Sequence, residues 1–96
     1  MDFQCRWAQL RRKYDDTKFQ FVNLELDLAI TYCLIARASA DRARSDRNIS
    51  NAERAYSTAA CFLDANLDAD QKLEINEKLI RFCSVRALCD STRKLA

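Results

Sequence analysis

The sequence predicts an all-α fold, an antiparallel three-helix bundle preceded by a short N-terminal amphipathic helix. Three observations carry this. The 96-residue chain contains no Gly and no Pro, where average usage would supply about seven and about five. Tight hairpins and bulges therefore lack their usual residues, and long helices lack their usual breakers. Apolar residues recur at steps of three and four through most of the chain, the period of one helical face. Finally, polar interruptions near 15–17, 39–48 and 64–70 divide that periodicity into a short segment and three long ones. Apolar residues make up 49% of the chain. That is enough for one domain, 1–96, to bury roughly 60–65% of its unfolded surface.

The first segment, 1–15, carries one tight stripe of Phe3, Trp7, Leu10 and Tyr14. On a helical wheel these four fall within about 60° of one another. Arg6 and Arg11 flank the stripe. It closes the core as a fourth helix or contacts another chain, and a membrane-surface helix is the less favoured third reading. Asp15-Asp16-Thr17 then offers a break and a cap for a second, long helix over about 18–39. Two apolar sets run through that helix. One steps Phe19, Val22, Leu26, Ala29, Cys33, Ala36, and the other Phe21, Leu24, Leu28, Thr31, Ile35, Ala38. A helix apolar on two flanks is expected to be covered on both, so this is the central helix of an 18–90 core.

The polar stretch 39–48 (SADRARSDRN) holds the first turn. Asp41 caps a helix of about 42–64, in preference to a later start at a Ser50/Glu53 capping box. The early start keeps Ser45, Ile49, Ala52, Tyr56, Ala59 and Leu63 on one continuous step. Its alanines permit close approach to the preceding helix.

The segment DANLDADQKLEI, 64–75, imitates a calcium loop, with Asp64, Asn66, Asp68 and Asp70 spaced as oxygen ligands. The sixth position of such a loop must be Gly to make the turn, and it is Ala69. The twelfth must be Glu, supplying bidentate ligation, and it is Ile75. A turn and helix cap explains more. Asp68 caps the third helix, about 68–90, Gln71 reaches back, and Asp70 complements the positive end of the helix dipole. Ile75, Leu79, Phe82 and Cys83 then begin a core face beside Leu73, Ile80 and Ala87. Asn76 and Arg86 are the polar positions inside it, expected to be a hydrogen-bonded Asn and an Arg paired with a carboxylate. Residues 91–96 form a tail.

The missing residues also prune chemistry. Without Gly there is neither a phosphate-cradling loop nor a nucleophile elbow. Without His the usual serine and cysteine triads and most mixed zinc sites are gone. No catalytic, cofactor-binding or metal residue is expected, and no cofactor. A net charge of +2, with arginines scattered among acids, disfavours nucleic acid. The most apolar run, 28–36, is too short to span a bilayer. The five cysteines are odd in number and show no C-x-x-C spacing. Cys33 and Cys61 read as small core hydrophobes. With no signal-peptide pattern, reduced thiols in a cytoplasm are expected.

The segment 52–63, A-E-R-A-Y-S-T-A-A-C-F-L, is similar to the second helix of tetratricopeptide-type hairpins, in which Ala, an aromatic and Ala recur at this spacing. The layout over about 70 residues also resembles the MIT-type three-helix module, which binds helical peptides. Leu26-D-L-A-I-T-Y-C together with Asn51-A-E-R-A-Y-S-T looks like short bacterial all-helical proteins of unassigned function, over residues 25–90. These resemblances imply a three-helix layout and a bacterial cytoplasm, and they carry no activity or site. The functional expectation is a non-catalytic protein–protein interaction module whose partner is another protein or a second copy. The N-terminal stripe of Phe3, Trp7, Leu10 and Tyr14 is its contact surface. A helical regulator that binds nucleic acid or a small molecule is the alternative.

Overall fold

The computed structural model describes the backbone of residues 2–63 and 67–95, and the side chains of residues 6–63 and 67–90. Three helices follow one another: α1 Asp2–Ala38, α2 Arg42–Cys61 and α3 Ala69–Leu95. α1 is central and packs against both others. α2 returns antiparallel to it. α3 then runs parallel to α1, as the pairings Asn23–Glu74, Asp27–Lys78 and Cys33–Cys89 require. The result is an all-α three-helix bundle, elongated to 65 × 22 × 16 Å.

The separate N-terminal helix expected from the sequence is not there. Residues 2–38 form one helix of 37 residues, and Asp15-Asp16-Thr17 does not interrupt it. Thr17 has no need to act as a cap, because its hydroxyl donates to the Lys13 carbonyl at 2.8 Å, a bond made within the helix. Asp15 and Asp16 follow Arg11 and Arg12 by four residues, which places opposite charges on one face. Asp is only a mild helix-disfavouring residue, unlike the absent Gly and Pro.

α1 ends at Ala38, where Ser39 Oγ donates to the Ile35 carbonyl at 2.8 Å. Asp41 then caps α2, accepting from the Ala43 N–H at 2.9 Å. Ser50 lies inside α2, so the later start does not occur. α2 stops at Cys61, before the expected 64, and its end is closed by Phe62 N–H donating to the Ala59 carbonyl at 3.0 Å and Leu63 N–H donating to that of Ala60 at 3.3 Å.

At the start of α3, Asp68 Oδ1 accepts from the Gln71 N–H at 2.8 Å, and Gln71 Oε1 accepts from the Asp68 N–H at 3.1 Å. This reciprocal capping box occupies part of the candidate calcium loop; Asp64 and Asn66 lie outside the described residues. α3 continues to Leu95, so the expected tail from 91 is helix at least to that point. Nothing between 90 and 95 can break it, because the run contains neither Gly nor Pro.

The core is narrow. From α1, Val22, Leu26, Ala29, Ile30, Cys33 and Ala36 are buried. They meet Ile49, Ala52, Ala55 and Ala59 of α2 and Ile75, Phe82 and Cys89 of α3. Small residues on α1 and α2 let those backbones approach, and larger side chains fill the space toward α3. Tyr56 and Phe82 stack with centroids 4.9 Å apart. Arg86 of α3 binds Glu53 of α2 at 2.8 Å and Asp90 of its own helix at 2.6 Å. The hydrogen bond to Glu53, more than any other cause, raises the Arg86 pKa. Asn23 is less well matched. Its Nδ2 donates to Glu74 at 3.2 Å, while its Oδ1 is buried with no hydrogen-bond partner.

Two sequence expectations fail on α3 and α2. Leu73 and Ile80 are exposed, as are Cys83, Ala87 and Asn76, because α3 offers only a thin stripe to α1. Cys61 is exposed, and among the described residues the buried thiols are Cys33 and Cys89.

The cap gives a direct test. Asp68→Ala should lower stability by about 1 kcal/mol, measured by urea unfolding. Millimolar calcium should leave the melting temperature of the unmodified chain unchanged, and a rise of several degrees would contradict the capping role.

Candidate functional site: the outward face of the first helix

α2 and α3 do not run the full length of α1. α3 begins opposite residue 18 of α1, given the offset set by Asn23–Glu74 and Asp27–Lys78. The end of α2 reaches a similar level, where Phe62 meets the Phe21 ring edge-on at 5.2 Å. Residues 2–17 of α1 therefore extend beyond the bundle by about 24 Å of helix. The reason lies in the buried seam. Continued toward the N-terminus past Phe19, the seam meets Asp15, Arg12 and Ala8, a polar face on which another helix would gain nothing. These residues instead line a polar notch beside Asp68 and Gln71.

The stripe expected to be functional lies on this overhang. Trp7, Leu10 and Tyr14 are 60%, 62% and 61% exposed, so they do not close the core as a fourth helix. With Arg11 they line a shallow apolar groove. Phe3 belongs to the first turns of α1, and its side chain lies outside the described residues. Lys18 marks the junction with the bundle, its Nζ lying 5.1 Å from the Tyr14 ring centroid and 5.9 Å from that of Phe62.

The second apolar set of α1, expected to be covered, is open as well. Leu24 is 60% exposed, and Phe21, Leu28 and Ile35 are also exposed. Two helices cover one face of α1, because α2 and α3 both sit on the same side of it. This outward face is what the sequence reading missed, and the unbroken step across residues 14, 17 and 21 was the available signal. α1 also contains a stretch, within Arg6–Ala38, long and apolar enough to cross a membrane by length and composition, with a third of it buried. That stretch carries Glu25 and Asp27, and its inner side is the bundle core.

No group of His, Cys, Asp or Glu spaced to hold a metal occurs among the described residues. Two of the thiols, Cys33 and Cys89, are buried against each other. Cys89 Sγ donates to the Cys33 carbonyl at 3.2 Å. Burial, reinforced by the neighbouring Cys89, raises the Cys33 thiol from 9.0 to about 11. A thiol held neutral in this way is a poor nucleophile, and Cys33 serves as core.

Comparison with protein-family models, with curated proteins and with solved structures returns no match.

Two results follow for the cysteines. In the folded chain at neutral pH, Cys61 and Cys83 should react with a thiol reagent quickly and Cys33 only at the rate of unfolding, as peptide mapping would show. The raised Cys33 pKa contributes stability fully present below pH 9.0 and lost as the pH climbs toward about 11. Thermal melts should show this alkaline decline, and Cys33→Ala, though less stable throughout, should show a shallower one. An equal slope in both proteins would contradict the assignment.

Proposed function

We propose that this chain is a non-catalytic protein–protein interaction module whose contact surface is the exposed stripe of α1, with Phe3, Trp7, Leu10 and Tyr14 at its N-terminal end. The observation that carries the reading is the overhang. About four turns of helix leave the bundle, and Trp7, Leu10 and Tyr14 on them are more than half exposed. An isolated helix of that length is marginal in water, and a contiguous apolar patch marks a contact site. Tryptophan and tyrosine dominate the energetics of such contacts. The bundle acts as a rigid base that holds the stripe clear.

The free thiols at Cys33, Cys61, Cys83 and Cys89 support a reducing, cytoplasmic setting. The bacterial source, and the tetratricopeptide-like and MIT-like character implied by the sequence resemblances, belong to the same proposal. The absence of Gly and His from the sequence supports a binder over a catalyst.

Deleting residues 1–15 tests the reading. The shortened chain should keep its remaining helicity and cooperative melting, since the described core begins at Val22, and should lose association with itself or with its partner. Loss of cooperative melting would make the stripe part of the core. Unchanged association would make it a tail and overturn the proposal. Nucleic acid offers a further check. Arg6, Arg11, Arg12 and Lys13 can meet only a few phosphates at once, so binding should disappear by physiological salt. Sequence-preferring, submicromolar binding at that salt would favour a nucleic-acid role instead.

A further inference from the structure

The overhang stripe and the open face of the bundled part of α1 are one surface. Steps of four and three run without a break from Phe3 to Ala38, crossing the former gap through Tyr14, Thr17 and Phe21. That is a heptad seam sustained over about five heptads, the pattern of a helix that packs along a second helix. It lies on the side of α1 opposite Val22, Leu26 and Cys33, so α1 has two seams, one filled by α2 and α3 and one open to solvent.

Resting on the reading of this face as a protein contact, we propose that the occupant of the open seam is α1 of a second copy, running antiparallel, with the two-fold axis near residue 19. Two features of the seam favour this occupant. The first is shape. Antiparallel pairing about residue 19 puts Trp7 opposite Thr31 and Phe21 opposite Thr17, each large ring against a small side chain. The same register sets Leu10 against Leu28 and Tyr14 against Leu24.

The second feature is charge. The positions flanking the seam are basic in its N-terminal half (Arg6, Arg11, Lys13, Lys18) and acidic further on (Glu25, Asp27). Antiparallel pairing brings Arg11 to the partner's Glu25 and Lys13 to the partner's Asp27, each twice by symmetry. A parallel pair would instead align Arg6 with Arg11 and Lys13 with Lys18, like against like. Opposed charge at flanking positions is what sets helix orientation in such pairs.

Three local contacts bear on this arrangement. The Lys18 side chains approach each other near the axis, and each already leans over Tyr14 and Phe62 of its own chain. Asp27 also binds Lys78 at 2.9 Å and keeps half its side chain exposed. Glu25 stands on the α2 rim that Arg54 also lines.

Area is sufficient as well. Trp7, Leu10, Tyr14 and Leu24 are about three-fifths exposed, and at about 100 Å² each from two chains they approach the ~1,000 Å² of a specific interface. Phe21, Leu28 and Ile35 add to this. The pairing also gives the overhang of each chain the packing its own bundle does not provide, by laying it along the partner's bundled half.

The test is the mass of the full chain in solution by sedimentation, across low to high micromolar concentration. A dimer of 11.1 kDa chains is expected. Leu24→Glu changes an exposed position and should leave the cooperative melting of the dilute monomer intact while weakening dimerisation at least tenfold, because it buries an unpaired charge at the seam. Arg11→Glu should weaken dimerisation about tenfold, and adding Glu25→Arg should restore it, since the pair is re-formed with reversed sign. That rescue reports orientation, because a parallel pair never brings these residues together.

A chain that stays monomeric at high micromolar concentration overturns the self-pairing. A dimer indifferent to Leu24→Glu overturns the surface, and failure of the double variant to recover overturns the orientation. A monomer that binds anionic vesicles through Trp7, seen as a blue shift of its emission, would replace the second copy by a lipid surface. A monomer that still loses a protein partner on deletion of 1–15 would leave the interaction module standing and remove only the second copy.

Discussion

The interaction on which the rest of the structure depends is the burial of one narrow seam of α1, from Val22 through Leu26, Ala29 and Cys33 to Ala36, between α2 and α3. Every long-range pairing is arranged around it. The alanines of α2 let that helix sit close, Phe82 and Tyr56 fill the wider space on the α3 side, and the Arg86–Glu53 pair ties α2 to α3 at the rim. Removing a fully buried side chain such as Leu26 would leave a cavity that three thin helices have little means to collapse.

Because the seam is narrow and one-sided, the bundle leaves the other side of α1 bare. A single helix here has two jobs. Its inner face holds the fold, and its outer face is largely exposed, meeting the rest of the chain at its edge, where Phe21 touches Phe62. Beyond residue 18 even the inner face turns polar, so α1 leaves its partners but keeps its outer stripe. A helix that stays apolar along one line after losing its intramolecular neighbours is suited to a neighbour from elsewhere. This separation also means that the outer face can be altered without unfolding the bundle.

Much of this was legible in residues. The absence of Gly and Pro marked an all-α chain, and the two apolar rows of the central helix were visible as three-four steps. Asp41 as a cap, the Asp68/Gln71 capping box and the pairing of Arg86 with a carboxylate each followed from one residue at one spacing.

What failed has physical causes. Asp15-Asp16-Thr17 looks like a break because these residues favour caps, yet Thr17 satisfies itself on Lys13 within the helix. An apolar row states that something covers it, not whether the cover is in the same chain, and so Leu24, Leu73 and Ile80 were expected inside. Cys61 and Cys83 were expected inside and are exposed, because a cysteine reports its surroundings only through the helix phase, and small errors in phase move it across the rim. For the exposed outer face, residue types and positions were readable in the overhang, whereas its continuation past Tyr14 required the helix to be continuous.

Amide hydrogen exchange along α1, measured as a function of protein concentration, tests the two-faced helix most directly. Amides of residues 22–36 should show protection that does not depend on concentration, because α2 and α3 supply their cover. Amides of residues 6–16 should exchange freely in dilute solution and gain protection as concentration rises, because their cover comes from a second chain. Protection of 6–16 equal to that of 22–36 at every concentration would contradict the account, since the stripe would then be buried within one chain. So would free exchange at every concentration, since nothing would then occupy the outer seam.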